Sequence, residues 1–353
     1  MTVQQGIGMA KSAFRPEDTT TDIRNALQQE RKIKSDFTSG IREGAKLYGR
    51  ARACLQRLFE DVRHNRPLDL ETAKEVVQAM YESLAKNQNV LLWITNLQFP
   101  HESNACHNFN IAVLSMMFGK HRGMSRSDII YLGQGGLLHD LGKTHVPTVV
   151  LERPARLTPD EMTIVRRHAL EGYNALNATG QLTNAVLDIV RYHHERADGS
   201  GYPEGLFGGS VPDLARMVAI ADAYDSMIGG YYRRPMTPTD ALRMLKTSAA
   251  EEYGVELVEE FIRCLGTYPV GSLVELNSGS VVMVVGSNPD ARLKPLVMFV
   301  RNEEGRFERP RMLNDLSRYN DDDLADRWGI RRLVDPLEYG IDMWALILEE
   351  IQF

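Results

Sequence analysis

Five histidines and two aspartates of this chain have the types and spacing of an open metal centre. His193-His194-Glu195-Arg196-Ala197-Asp198-Gly199-Ser200-Gly201-Tyr202-Pro203 sets two adjacent imidazoles beside an acid and a glycine-proline loop. Leu137-Leu138-His139-Asp140-Leu141-Gly142-Lys143 sets a His-Asp pair after an apolar run and closes it with glycine. His168 lies between these motifs, His107 before them, and Asp222 after them in Ala219-Ile220-Ala221-Asp222-Ala223-Tyr224-Asp225. Imidazole nitrogens mixed with carboxylate oxygens suit iron or manganese better than a closed structural zinc site, which favours thiolates. Two such ions, about 3.5–4 Å apart, share a hydroxide, lower its pKa and clamp the attacking and leaving oxygens of an in-line displacement at phosphorus. Asp140 is the expected bridging carboxylate. Lys143, three residues on from a helix end, is expected to reach a phosphate oxygen and stabilise developing charge; its bland alternative is a solvated surface lysine. Taken singly, His168 reads as a satisfied buried or surface histidine, which only membership in the set reverses, and Asp222 reads equally well as a helix cap or turn. Asp225 is expected to support a ligand rather than to be one.

The ligands stand about one or two helices apart, so each can sit on its own element of an antiparallel helical bundle and all can face one interior. Apolar residues recur at three and four from Asp22 to about Asn96, as in Ala53-Leu55-Leu58-Phe59-Val62 and Val76-Val77-Met80-Leu84, which predicts amphipathic helices. Asp69 and Thr72 read as a helix start. The character changes at Tyr268-Pro269-Val270-Gly271: Ser272–Leu276, Ser280–Val285 and Leu296–Val300 are short β-rich runs separated by turn residues. The expected organisation is mainly α: a mobile tail over 1–21, a helical region over 22–99, the metal domain over 100–270 and a β-rich accessory module over 271–353. The helical region packs either on the metal domain or on a second copy, which leaves a homodimer open.

At 353 residues, 43% hydrophobic and 25% charged, this is the composition of an ordinary globular chain. It has no apolar run of membrane-spanning length and no signal peptide, so a cytoplasmic location is expected. Cys54, Cys106 and Cys264 form no CxxC pair, and Cys106, though next to His107, reads as a packed thiol. A net charge of -6 argues against a DNA or RNA polymer as partner. Any anionic ligand must be held by metal ions and a few local Lys or Arg.

The ordered set LLHDLGK, a spaced histidine, HHERADGSGYP and ADAYD resembles the HD-GYP cyclic di-GMP phosphodiesterases of the HD metal-dependent phosphohydrolase superfamily, over roughly residues 100 to 270. The resemblance implies an HD-type helical bundle that hydrolyses cyclic di-GMP to linear pGpG, with further cleavage to GMP left open. It assigns His107, His139, Asp140 and Asp222 to one ion, and His168, His193 and His194 to a second that shares Asp140. The loop carrying Gly201-Tyr202-Pro203 borders substrate in the family and is linked to GGDEF-domain partners, so Tyr202 is expected to stack on a base or to meet such a partner. Two departures stand out. Where three-metal members place a glutamate four residues before the first ligand histidine, this chain has Ser103; two ions are therefore expected, with a third through Glu102 as the minority alternative. Where the family has a basic run that grips guanine nucleotide, this chain reads Gly229-Gly230-Tyr231-Tyr232-Arg233-Arg234-Pro235, one residue shorter, and Arg233 or Arg234 is the expected substitute. The alternatives are a weakly active cyclic di-GMP sensor or scaffold for GGDEF partners, and hydrolysis of another phosphoester.

Overall fold

The structure, a computed structural model, describes residues 20–96, 103–151, 157–229, 235–288, 291–309, 311–342 and 345–346. The chain opens with α1 (Thr20–Arg63). Asp69 then starts α2 (Leu70–Lys86) by accepting the Thr72 N–H at 3.3 Å and the Thr72 hydroxyl at 2.7 Å, as its residue type predicts. The buried stripe of α2 is Leu70, Ala73, Val76, Val77, Met80 and Leu84, the spacing of one helix face. Asn87 caps α3 (Gln88–Thr95), whose Trp93 meets Phe37 of α1 edge to face at 5.9 Å.

The next two helices are the centre of the molecule. α4 (Ser103–His121) is buried along most of its described length, so its polar residues need internal partners. Asn108 donates to the Leu137 carbonyl of α5 (Arg126–Leu138) at 2.9 Å, and Asn110 donates to the Thr95 carbonyl at 3.1 Å. A 3-10 turn over Leu141–His145 leads to α6 (Thr148–Leu151). α7 (Pro159–Arg166) begins with a capping box, Thr158 and Glu161 each holding the other's backbone N–H, and with proline at its first position. α8 (His168–Asn177) and α9 (Asn184–Tyr192) follow, then α10 (Asp213–Gly229), α11 (Pro238–Met244), α12 (Ala250–Tyr253) and α13 (Val255–Leu265). Phe261 of α13 packs edge to face on both Phe118 of α4 and Tyr224 of α10, tying these helices together.

The three β-rich runs are strands β1 (Leu273–Leu276), β2 (Val281–Gly286) and β3 (Leu296–Arg301), and two shorter ones, β4 (Leu313–Asp315) and β5 (Ile330–Leu333), complete an antiparallel sheet of order β4-β3-β2-β1-β5. Side chains alternate across it. Leu273, Val281, Met283, Val285 and Met298 join the same buried cluster as the helices, while Val274, Leu276, Val282, Val284 and Val297 form a second cluster beneath Trp328 and Tyr319. Asn89 of α3 adds a polar latch, accepting the Ser287 N–H at 3.1 Å and donating to the Ser287 carbonyl at 3.4 Å. One continuous core therefore runs from α1 to the sheet. Among the described residues, no helix is long and apolar enough to cross a membrane.

Candidate metal centre

Helix ends and one helix middle deliver the seven expected ligands to one place. His107 comes from α4, His139 caps the C-terminus of α5 with Asp140 immediately after it, and His168 opens α8. His193 caps α9, His194 follows, and Asp222 lies within α10. His107, His139, Asp140, His168, His193 and Asp222 are buried, and His194 is half-buried. Donor atoms of six of them form two groups, each within 4.8 Å, with Asp222 in neither: His107, His139 and Asp140, and Asp140, His168, His193 and His194. Asp140 belongs to both. Its Oδ2 lies 3.4 Å from His139 Nε2 and 3.9 Å from His107 Nε2, while its Oδ1 lies 3.4 Å from His168 Nε2. Asp222 reaches both sides, with Oδ1 3.0 Å from His107 Nε2 and Oδ2 3.9 Å from His194 Nδ1. The approach of the His139-Asp140 turn to α8 requires Gly142, because a Cβ there would lie 2.0 Å from the His168 carbonyl oxygen and 2.5 Å from the Gly172 nitrogen.

The hydrogen bonds fix which nitrogens face inward. Nδ1 of His139, His168 and His193 lies 2.8, 2.6 and 2.8 Å from the carbonyls of Gly136, Val165 and Val190. A carbonyl only accepts, so each Nδ1 carries a proton and Nε2 is the nitrogen turned inward, the one that bears the lone pair when the ring is neutral. Burial holds His168 down at about 4 against the opposing pull of Asp140, and holds His193 well below the usual imidazole range, so both rings are neutral. Their Nε2 atoms nevertheless face each other at 3.2 Å. Two lone pairs at that separation repel, and a cation between or beside them removes the repulsion. His139 Nε2 and Asp140 Oδ1 are likewise buried without a hydrogen-bond partner among the described residues, a costly arrangement unless a cation binds there. The donor set therefore fits divalent metal.

His107 differs from its neighbours. Its Nδ1 donates to Asp225 Oδ2 at 2.7 Å, and Asp225 also accepts from Asn110 at 2.8 Å, so Asp225 fixes the orientation of the His107 ring. Burial pushes His107 down, but its bonds to Asp222 and Asp225 outweigh this and raise it to about 10. Burial also opposes the charge of Asp140, yet His139 and Lys143 hold its carboxyl well below the ordinary carboxylate range. Lys143 Nζ donates to Asp140 Oδ2 at 2.5 Å, which sets the ammonium at the edge of the centre.

The loop after the paired histidines is held by Glu195, a residue whose role the motif did not disclose. Its buried carboxylate accepts the backbone N–H groups of Glu204 and Gly205 on Oε1, at 2.7 and 3.1 Å, and of Leu206 on Oε2 at 2.9 Å. Gly201 lets the loop fold back on the motif, since a Cβ there would meet Arg196 N at 2.4 Å and Glu195 Cα at 2.5 Å. Tyr202 is thereby stacked on His194, with ring centroids 4.7 Å apart and planes 30° apart. The Arg166 guanidinium lies over the Tyr202 ring at 5.2 Å, a contact that no sequence signal separates from an ordinary charged helix end. Glu102, Arg233 and Arg234 lie outside the described residues.

A family model described as HD domain matches residues 73–257. A Pseudomonas aeruginosa protein named cyclic di-GMP phosphodiesterase PA4108 is 32% identical over 302 residues, covering 83% of this chain and 72% of that protein. A Thermotoga maritima protein named cyclic di-GMP phosphodiesterase is 32% identical over 44% of this chain and 43% of its own length. Among solved structures, the HDG"Y"P protein Bd1817 of Bdellovibrio bacteriovorus aligns with a TM-score of 0.54 at 20% identity, over 68% of this chain and 78% of that one, a likeness of fold. The HD family is metal-dependent, in keeping with the buried His/Asp clusters described above. The order of the His/Asp motifs along the chain, the family match over more than half of the residues and the relative that spans most of them agree: the chain belongs to the HD domain family, within its HD-GYP group.

Proposed function

We propose that this chain is a phosphodiesterase that opens cyclic di-GMP to linear pGpG at a centre of two divalent ions, iron or manganese. The observation that carries the reading is the pair of donor groups meeting at Asp140, in a chain whose relative over 83% of its length is named a cyclic di-GMP phosphodiesterase. His107, His139, Asp140 and Asp222 would hold one ion, and His168, His193 and His194 the other, with Asp140 shared. When bound, the ions supply Lewis-acid charge at phosphorus and a water acidified toward neutral pH. The residues of the chain do the rest. The carbonyl-anchored imidazoles keep their Nε2 atoms directed inward, and the Lys143 ammonium, held at Asp140, offers charge to an oxygen of the phosphodiester. Tyr202, fixed by the Glu195-anchored loop, forms the wall beside His194.

Buried donor atoms without partners favour this reading over a sensor or scaffold that has lost its chemistry, because a protein relieved of metal binding gains stability by replacing them. Residence in the cytoplasm belongs to the same reading, since all three cysteines are free thiols. A GGDEF partner at Tyr202 is less favoured than a substrate-facing role, given that the ring stacks on a metal-site histidine. The test is hydrolysis of cyclic di-GMP by anaerobically purified protein loaded with Fe(II) or Mn(II), with ions counted per chain. Turnover at two ions per chain, both turnover and ions lost in Asp140→Ala, is the expected result. Binding without turnover would move the chain to the sensor class, and three ions per chain would restore the Glu102 alternative.

A further inference from the structure

Arg166 ends α7, two residues before the ligand His168, and is exposed. Its guanidinium lies 5.2 Å from the centroid of Tyr202, and Tyr202 stacks on His194, so this cation stands one ring removed from the metal centre. It makes no ion pair among the described residues. Three other cations near the centre are committed elsewhere. Lys143 is bonded to Asp140 at 2.5 Å. Arg196 lies over the Tyr253 ring at 4.5 Å, donates to the Glu195 carbonyl at 3.0 Å and has its Nε 3.5 Å from Glu252. Arg191 is paired with Glu204.

A cyclic dinucleotide brings two phosphodiester anions, and a centre that cleaves one of them leaves the other to be met by the protein. On a chain of net charge -6 that requires a particular cation. An arginine is suited to it, because its planar fork gives two N–H groups to two phosphate oxygens and keeps its charge at every working pH. Resting on an aromatic face steadies the fork before the ligand arrives. We propose that Arg166, steadied by Tyr202, binds the phosphodiester that is not being cleaved, and so selects cyclic dinucleotides over substrates with a single phosphodiester. The inference rests on the cyclic di-GMP reading of the centre.

The experiment compares kcat/KM for cyclic di-GMP and for bis(p-nitrophenyl) phosphate, which carries one phosphodiester, in Mn(II)-loaded wild type, Arg166→Gln and Arg166→Lys, with metal content measured in each. Loss of a charged hydrogen-bonding partner lowers the preference for the dinucleotide about ten- to one-hundredfold in Arg166→Gln. The loss falls on KM, with the metal count of the wild type, and Arg166→Lys recovers part of it. An unchanged preference, an equal loss on both substrates, or a loss of metal overturns the proposal. Wild type that fails to open cyclic di-GMP overturns the underlying reading and this inference with it, whereas active wild type and an unaltered Arg166→Gln preference overturn the inference alone.

Discussion

Alanine at position 142 adds one methyl group at the point where the His139-Asp140 turn touches α8. That carbon would lie 2.0 Å from the His168 carbonyl oxygen and 2.5 Å from the Gly172 nitrogen, both backbone atoms that no rotamer change can move aside. Unstrained contacts of carbon with other heavy atoms are closer to about 3.5 Å, so the two elements must separate by more than about 1 Å. The strain of such overpacking is about 1–3 kcal/mol of stability. The separation falls between Asp140 and His168, whose facing atoms are now 3.4 Å apart, and so between the two halves of the second ligand group. A misplacement of about 1 Å costs about one-hundredfold in rate. Gly142→Ala should therefore keep its helical circular dichroism, unfold at lower denaturant, bind one ion much more weakly than the other and lose about two orders of magnitude in kcat. Denaturant titration, metal competition and steady-state kinetics on one preparation measure all four. Stability within about 0.5 kcal/mol of wild type together with undiminished binding of both ions would refute the close-approach argument.

Two further outcomes follow from groups that are not themselves expected ligands. Glu195→Gln puts an amide N–H against a backbone N–H whichever way it is turned, because both oxygens of Glu195 accept; the loss is about 1–3 kcal/mol, and amide exchange over residues 199–206 should speed up while an unchanged exchange pattern would count against the anchor. Burial pushes Cys54 up to about 11 and Cys264 up to about 12, so little thiolate exists at pH 8; a disulfide reagent should leave both unmodified in the folded protein and label them after unfolding, and prompt native labelling of either would contradict this.

The clustering of the candidate ligands was legible because their residue types are costly to bury without a purpose and because their spacing matches helix lengths. The Asp69 start of α2 and strands β1 to β3 were legible for local reasons, a side-chain cap and runs of β-branched residues. Strands β4 and β5 were not. β4 has three residues, and β5 reads Ile330-Arg331-Arg332-Leu333, an edge strand whose arginines pair with Glu275 across the sheet. Glu195 stood in the opening motif in plain view, yet its partners are backbone N–H groups nine to eleven residues away, set by the loop's path and absent from any residue pattern. Arg166 was hidden for the opposite reason, since its partner Tyr202 is distant in sequence and a charged last turn of a helix is unremarkable on its own.

The carbonyl anchors of His139, His168 and His193 divide the centre into a part that mutation can retune and a part that it cannot. A carbonyl three residues back in the same turn survives every side-chain replacement, so the aim of these three rings is inherited with the helix ends themselves. His107 takes its aim from Asp225, a side chain that one codon can change. Drift in metal preference or reactivity among descendants of this chain is therefore expected to enter through the α4–α10 contact, with the three helix-end histidines as its invariant frame.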